Sequence, residues 1–389
     1  MADARAPQAD GGRAADAPRT RAAWAMAALA LVLAHFSSFG LGRAVSTDVR
    51  YSVYFSSRAA AGEVPHRDFF DNRTPMSTLL GAAFVRIGGA AGVEPLASMR
   101  VGCLAIAAAT GLLLFAVHRR LALGDGAAGI AGLLAYLGFP LLGVLPSIGP
   151  FPKVSMNLFA LAAALFADSE RWALAGVAAA LAALDWQIAG LVAIGVLAAS
   201  ILAPHRVPRA PLRVLAGGFA VAAATALWLG AAGALPAALR QVVGSAFARG
   251  AASFEADGGG GGVAGRVLQV LGMGARGHLW LAAVGAVGLV VFAASAPRFR
   301  REGLGRLAIP LAVYEVGMVA FSLLDFQRFG DLYALVQSLA FFAGVTLATA
   351  IPAIRRATGS GLPAGSPRAN RRASIATAAA LAAFALAVR

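Results

Sequence analysis

Apolar residues in this chain come in long blocks. From residue 22 to the end, runs of roughly 20 residues built from Ala, Leu, Val, Gly and Phe are separated by short connectors that hold the Arg, Asp and Pro. The blocks fall at about 22 to 42, 97 to 117, 126 to 146, 154 to 167, 171 to 184, 188 to 203, 213 to 233, 277 to 296, 305 to 323, 331 to 351 and 373 to 389. Runs of this length match the thickness of a bilayer, so the pattern predicts an all-α polytopic membrane protein with about eleven transmembrane helices. Residues 1 to 21 are polar, Ala-rich and basic, and form a predicted disordered tail ahead of a membrane domain over 22–389.

The connectors alternate in charge. Every second one is rich in arginine: His118-Arg119-Arg120, Asp168 to Arg171, His205 to Arg209, Pro297 to Arg301, and Arg355-Arg356 through Arg372. Cytoplasmic loops carry such an excess, which places the N-terminus in the cytoplasm and the other connectors outside. Outward connectors are then 43–96, Pro146 to Lys153, Asp185-Trp186-Gln187, 234–276 and Asp325 to Asp331. The moderately apolar stretch 76–92 breaks the alternation if it crosses, so it is predicted to be an interfacial or re-entrant helix. In the same first loop Tyr51, Tyr54, Phe55 and Ala59 recur at helical spacing, predicting a short surface helix that Pro65 ends.

Composition agrees with the pattern. With 59% hydrophobic and only 13% charged residues, the net charge of +15 belongs to the connectors. Positive-inside bias and anionic lipid headgroups account for it, and no nucleic-acid partner is implied. Cys103 is the only cysteine, which excludes an intrachain disulfide and a cysteine-based metal site. No zinc-type histidine spacing, nucleophile elbow, kinase signature or dinucleotide fingerprint is present, and the glycine run Gly258 to Gly262 lacks the Lys-Ser/Thr of a phosphate-cradling loop. That run reads as a flexible flap.

One segment stands apart from the apolar blocks. Between Ser46 and Pro75 lie Asp48, Asp68 and Asp71, with Arg67 and Arg73, Tyr51 and Tyr54, and two prolines. The order of a first span, then Asp48, Tyr51, Tyr54, Gly62, Pro65, Arg67-Asp68-Phe69-Phe70 and Thr74-Pro75, resembles the first extracytoplasmic loop of integral membrane glycosyltransferases. These form the glycosyltransferase C superfamily, and the likeness is to its protein O-mannosyltransferase and aminoarabinose transferase group in bacteria. It covers residues 22 to about 200. The resemblance implies a cavity at the outer face of the bacterial inner membrane, a polyprenyl-phosphate-linked sugar as donor, and a loop aspartate assisting the acceptor. Asp48 matches that position, although many relatives have Asp-Glu at Asp48-Val49 and a double proline at Thr74-Pro75.

Sugar transfer from a lipid phosphate needs a general base, stabilisation of an oxocarbenium-like centre, and positive charge on the departing phosphate. Asp48, directly after a span, and Asp68 are the candidate catalytic carboxylates. Asp48 also suits the N-terminus of the surface helix as a dipole-complementing acid. Asp68 and Asp71, three residues apart, suit one face toward the acceptor or a divalent cation, or a loop lock with Arg67 and Arg73. Arg67, Arg73, Lys153 and Arg328 are candidate phosphate partners. Lys153, the sole lysine, follows the rigid turn Ile148 to Pro152 and also suits a snorkelling role. Asp185 and Gln187, at a tight junction between short spans, are candidate substrate contacts or helix caps. Asp325, Gln327, Arg328 and Asp331 form a second polar cluster suited to phosphate or sugar hydroxyls. Glu315 and His35 fall inside spans and should face protein. The competing readings are a multi-span transporter and an inactive relative serving as an assembly subunit.

Overall fold

The computed structural model describes residues 18–71, 73–150, 152–202, 207–244, 279–324 and 329–358. The predicted last span at 373–389, the tail before residue 18, the glycine run and Arg328 with Asp325 and Gln327 lie outside the described residues. What is described is helical, with only a single isolated bridge between Pro65 and Phe69. The helices are α1 Pro18–Ser37, α2 Thr47–Ala60, α3 Met76–Ala90, α4 Pro95–Leu121, α5 Gly126–Leu137, α6 Leu141–Ile148, α7 Pro152–Asp168 and α8 Trp172–Asp185. They continue as α9 Leu191–Leu202, α10 Ala210–Ala231, the short α11 Leu235–Leu239, α12 Leu279–Ala294, α13 Ala296–Arg301, α14 Gly305–Leu324 and α15 Phe329–Thr358.

Five helices are long and apolar enough to cross a membrane: α1 from Thr20, α4, α10, α14 to Leu323, and α15 from Leu332 to Ile351. The pair α5 and α6 counts as a sixth if its two halves form one span. That pair was expected as one straight block; Gly138 and Pro140 interrupt it and the halves meet at 58°. The apolar helices α3, α8 and α12, and α9 with the 3₁₀ turn Gln187–Gly190 that precedes it, are shorter. The membrane assignment follows from exposure as well as length. On α10, Leu212, Leu215, Phe219 and Leu227 are exposed along a 22-residue helix, and on α1 so are Met26, Leu29 and Leu33. Continuous apolar faces of that size are stable against lipid and not against water.

Local sequence sets the helix ends. Ser46, in extended conformation, caps α2 by accepting the Val49 N–H; Glu94 caps α4 ahead of Pro95; and Asp125 caps α5 through the Ala127 N–H at 2.9 Å. Helix α1 stops at Ser37, earlier than its apolar run suggested, because Ser37-Ser38 and Gly40 follow. Where two helices touch backbone to backbone the contact is made by glycine. A Cβ on Gly217 of α10 would collide with the Ala173 carbonyl of α8, and one on Gly176 with the Val214 carbonyl, so α8 and α10 approach as closely as peptide groups allow.

Two opposite faces emerge from the contacts. On one, Arg120 pairs with Asp168 at 2.7 Å and Arg306 pairs with Glu170, tying two of the arginine-rich connectors to each other and to the start of α14. On the other, the ends of α1, α6 and α8 meet the starts of α2, α4 and α7. Its central tie is Arg100, buried near the start of α4, which donates to the carbonyls of Ile148 at 2.9 Å, Leu41 and Arg43. Above it, α3 doubles back along the first turns of α4, with Gly88 against Ser98 and Phe84 against Gly102. The stretch 76–92 is therefore a short helix packed on α2 and α4. Between these faces the bundle core holds polar pairs, Asn157 to Tyr314 and Gln337 and the Glu315 carboxyl to Ser338 Oγ at 2.6 Å, while the buried Ser322 hydroxyl has no partner among the described residues. His35 lies edge-on to Phe36 and Phe39.

Candidate functional site

Helices α2 and α3, the loop between them, and parts of α4 and α7 enclose a narrow cleft, open to solvent, with an interior volume of about 20 Å³. Its loop-side wall carries Ser52, Ser56, Arg73, Ser77 and Thr78; Leu80, Phe84, Cys103 and Ile106 supply apolar surface; Pro150, Pro152 and Ser155 form the facing wall. An apolar floor beneath several hydroxyls and one guanidinium suits a ligand with an apolar tail and a polar, anionic head.

The loop wall is built by the Asp-rich segment. Gly62 and His66 take positive φ, which turns the chain sharply back over α2. Phe69 then stacks on Phe55 at 5.1 Å, and Arg58 lies over the Phe69 ring at 5.1 Å while donating to the Asp68 carbonyl at 2.9 Å. Asp68 accepts the Val64 N–H at 2.7 Å and two bonds from Arg67 at 2.8 and 2.9 Å. This bidentate pair, with the Val64 amide, holds the Asp68 carboxyl at about 2, well below the usual range. Arg67 is further engaged on the Ala232 carbonyl at 2.9 Å, beyond the end of α10. Of the two arrangements open to Asp68 from sequence, the loop lock is the one adopted, and its oxygens are occupied.

Asp71, three residues on, is in the opposite environment. It is buried, its Oδ1 accepts the Arg73 N–H at 3.0 Å, and its Oδ2 accepts Thr78 Oγ1–H at 3.0 Å. Burial raises its pKa, against the pull of those two bonds. The Asp71 N–H donates to Gln241 Oε1 at 3.0 Å, which fixes that atom as oxygen, so His66 Nδ1 donates to it as well at 3.1 Å. Gln241 Nε2 returns a bond to the His66 carbonyl at 3.1 Å, clasping the turn after α11 to the first loop. Arg73 reaches into the cleft and donates to Ser52 Oγ at 3.0 Å; it makes no ion pair among the described residues.

The remaining sequence candidates are placed as follows. Asp48 is exposed in the first turn of α2, one turn from Ser52, whose hydroxyl donates to the Asp48 carbonyl at 3.0 Å. It does not line the cleft. Lys153 holds its Nζ 4.5 Å from the Trp186 ring centroid, a cation–π contact at the same junction as Asp185. Asp185 is buried and receives Ser155 Oγ–H at 2.5 Å, so it stands one hydroxyl behind the cleft wall. Gln187 is exposed in the 3₁₀ turn that follows. The cleft thus gathers Arg73 directly, and Asp71 and Asp185 through Thr78 and Ser155; Asp68 and Arg67 brace its rim.

Sequence reasoning passed over Thr78, Ser155, Ser52 and Arg100. Only Arg100 carried a signal, being a lone arginine at the edge of an apolar block. Among the described residues no three His, Cys, Asp or Glu side chains converge on a point that could hold a metal ion. Comparison of the sequence with models of known protein families and with curated proteins finds no match in either.

Proposed function

We propose that this chain is a membrane glycosyltransferase of about eleven spans, with its N-terminus cytoplasmic in a bacterial inner membrane. It moves a sugar from a polyprenyl-phosphate donor to a lipid, glycan or protein acceptor at the face that carries the first loop. The observation that supports this best is the cleft between that loop and the span ends, where Arg73 stands over an apolar floor among hydroxyls. The loop's resemblance to the glycosyltransferase C superfamily points the same way.

In this reading the donor's phosphate lies on Arg73 and its isoprenyl chain leaves along the apolar wall toward lipid. The acceptor oxygen bonds to the anomeric carbon as its proton passes to a carboxylate, with Asp48, exposed outside the cleft lining one turn from Ser52, as the base for an acceptor arriving from solvent. The bond from anomeric carbon to phosphate oxygen breaks, and its electron pair stays on the phosphate, where the guanidinium stabilises the charge. Asp68 and Arg67 act by holding the loop.

Reconstitution with a radiolabelled polyprenyl-phosphate sugar tests the proposal. Transfer by the wild type, abolished in Arg73→Gln and in Asp48→Asn, is the expected result. Transfer that survives Asp48→Asn removes that residue from the base role. A wild type inactive with every such donor favours the transporter reading, for which the bent pair α5–α6 and the buried row Asn157, Tyr314 and Gln337 are the relevant features.

A further inference from the structure

The cleft holds two kinds of hydroxyl. Thr78 gives its hydrogen to Asp71 Oδ2, Ser155 gives its own to Asp185 Oδ2 or the Pro152 carbonyl, and Ser52 donates to the Asp48 carbonyl. Ser56 and Ser77 also line the cleft, and their hydroxyls bond nothing among the described residues. Ser56 is 1% exposed, and a buried hydroxyl without a partner costs stability unless something from outside the fold satisfies it. Gly81 keeps its place open, since a Cβ there would overlap Ser56 Oγ. Ser52 and Ser56 stand one turn apart on α2 and face Ser77 and Gly81, one turn apart on α3. Arg73 enters at Ser52 and commits one N–H there. The first turn of α3 adds the N–H groups of Met76, Ser77 and Thr78, which find no acceptor among the described residues because Pro75 at the N-cap makes no side-chain bond.

We infer that Ser56, Ser77 and Arg73 form an oxyanion receptor for a single phosphate ester, whose bare oxygens enter the cleft while its ester groups stay at the mouth. This deepens the reading above, in which the phosphate lies on Arg73, and rests on it. The interior, about 20 Å³, takes one or two oxygen-sized atoms and no sugar ring. Donors converging from α2, α3 and the loop suit the diverging oxygens of a tetrahedral head, whereas a planar carboxylate meets the guanidinium fork alone. The two carboxyl groups nearby, Asp71 and Asp185, are set back behind Thr78 and Ser155, whose hydrogens they take.

Scintillation-proximity binding of tritiated farnesyl phosphate to the full chain in detergent tests this, with unlabelled farnesyl methyl phosphate, inorganic phosphate and farnesoate as competitors. Ser56→Ala should weaken farnesyl phosphate about 10- to 150-fold, the range for one lost hydrogen bond to a charged oxygen, and Ser77→Ala, at a half-buried position, by less. Because Ser56 Oγ bonds nothing in the fold, Ser56→Ala should unfold no more easily than wild type, which separates lost binding from lost structure. The diester, farnesyl methyl phosphate, should compete as the monoester does, since two bare oxygens suffice; inorganic phosphate, with no chain for the apolar wall, should compete more weakly. Unchanged binding in Ser56→Ala, a diester that does not compete, or farnesoate that competes as well as farnesyl phosphate would overturn the receptor; if Arg73→Gln still abolishes binding, the phosphate reading stands without it. Inorganic phosphate competing as well as farnesyl phosphate would assign the receptor to free phosphate and overturn the ester. If the wild type binds no probe, or Arg73→Gln binds like wild type, both the receptor and the reading beneath it fail.

Discussion

Replacing Arg100 with methionine should loosen the whole loop-bearing face, because one side chain ties three chain segments there. The guanidinium of Arg100, a residue 4% exposed, donates to Ile148, Leu41 and Arg43 carbonyls, fixing the turn after α6 and the connector after α1 to the start of α4. Hydrogen bonds from a charged donor are worth about 1.5–3 kcal/mol each when lost. Leu41 and Arg43 are exposed, so water can reach their carbonyls in the variant; Ile148 is half-buried. The expected net loss is then about 2–4 kcal/mol, well below the gross sum. Arg100→Lys keeps the charge but not the fork, and should fall between the two. Unfolding in mixed detergent micelles reads the stability, and the reactivity of Cys103, one turn along α4, reads the local opening. An Arg100→Met protein within about 0.5 kcal/mol of wild type, with unchanged Cys103 reactivity, would refute the tie.

Three further outcomes follow from the packing and charges. The adjoining Asp68 and Asp71 should act on stability in opposite senses. Asp68 is held at about 2 against 3.8 unfolded, so its contribution is present above 3.8 and lost as pH falls toward 2; Asp71 is raised, so its contribution is present below 3.8 and lost as pH rises through its folded value. Unfolding measured against pH should lose the first slope in Asp68→Asn and the second in Asp71→Asn. Gly217→Ala should cost about 1–3 kcal/mol, since the new methyl meets backbone; Gly218→Ala, with only the Gly176 carbonyl at 3.7 Å, should stay within about 0.5 kcal/mol by the same unfolding assay. Asn157→Leu strands Tyr314 and Gln337 in the spans and should destabilise by about 1–2 kcal/mol, whereas Asn157→Gln should recover part of it.

The long helices α1, α4, α10, α14 and α15 were legible because bilayer thickness writes itself into sequence as block length, whereas several blocks of the same pattern form shorter helices. Two of the arginine-rich connectors meet at Arg120–Asp168, and Arg306 at the start of α14 joins them through Glu170. The bend between α5 and α6 was written in Gly138 and Pro140, but a run averaged for hydropathy hides it. For α2, the spacing of Tyr51, Tyr54, Phe55 and Ala59 gave the helix. The face it buries against protein is set by Val49, Ser56 and Ala59, leaving both tyrosines exposed. Serine and threonine could not be picked out from sequence, because a hydroxyl in a membrane protein bonds its own helix as readily as a distant carboxylate.

The pair Asp68 and Asp71 shows where pattern stops carrying chemistry. They flank Phe69-Phe70 in the same loop, each adjacent or near-adjacent to an arginine, so their sequence surroundings are alike. What separates them is one turn of backbone. Asp68 faces the guanidinium of Arg67 across an exposed rim, where a bidentate pair and a main-chain amide keep it ionised. Asp71 is carried inward by the Gln241 clasp, away from the Arg73 guanidinium, which goes to Ser52, and onto the Thr78 hydroxyl. The arginine freed by that geometry is the one that reaches the cleft. A single clasp at Gln241 therefore sets the place of the proposed phosphate partner, Arg73. Gln241→Ala should weaken the binding of farnesyl phosphate, a short polyprenyl phosphate, as Arg73→Gln does, whereas binding unchanged from wild type would show that the clasp does not place Arg73.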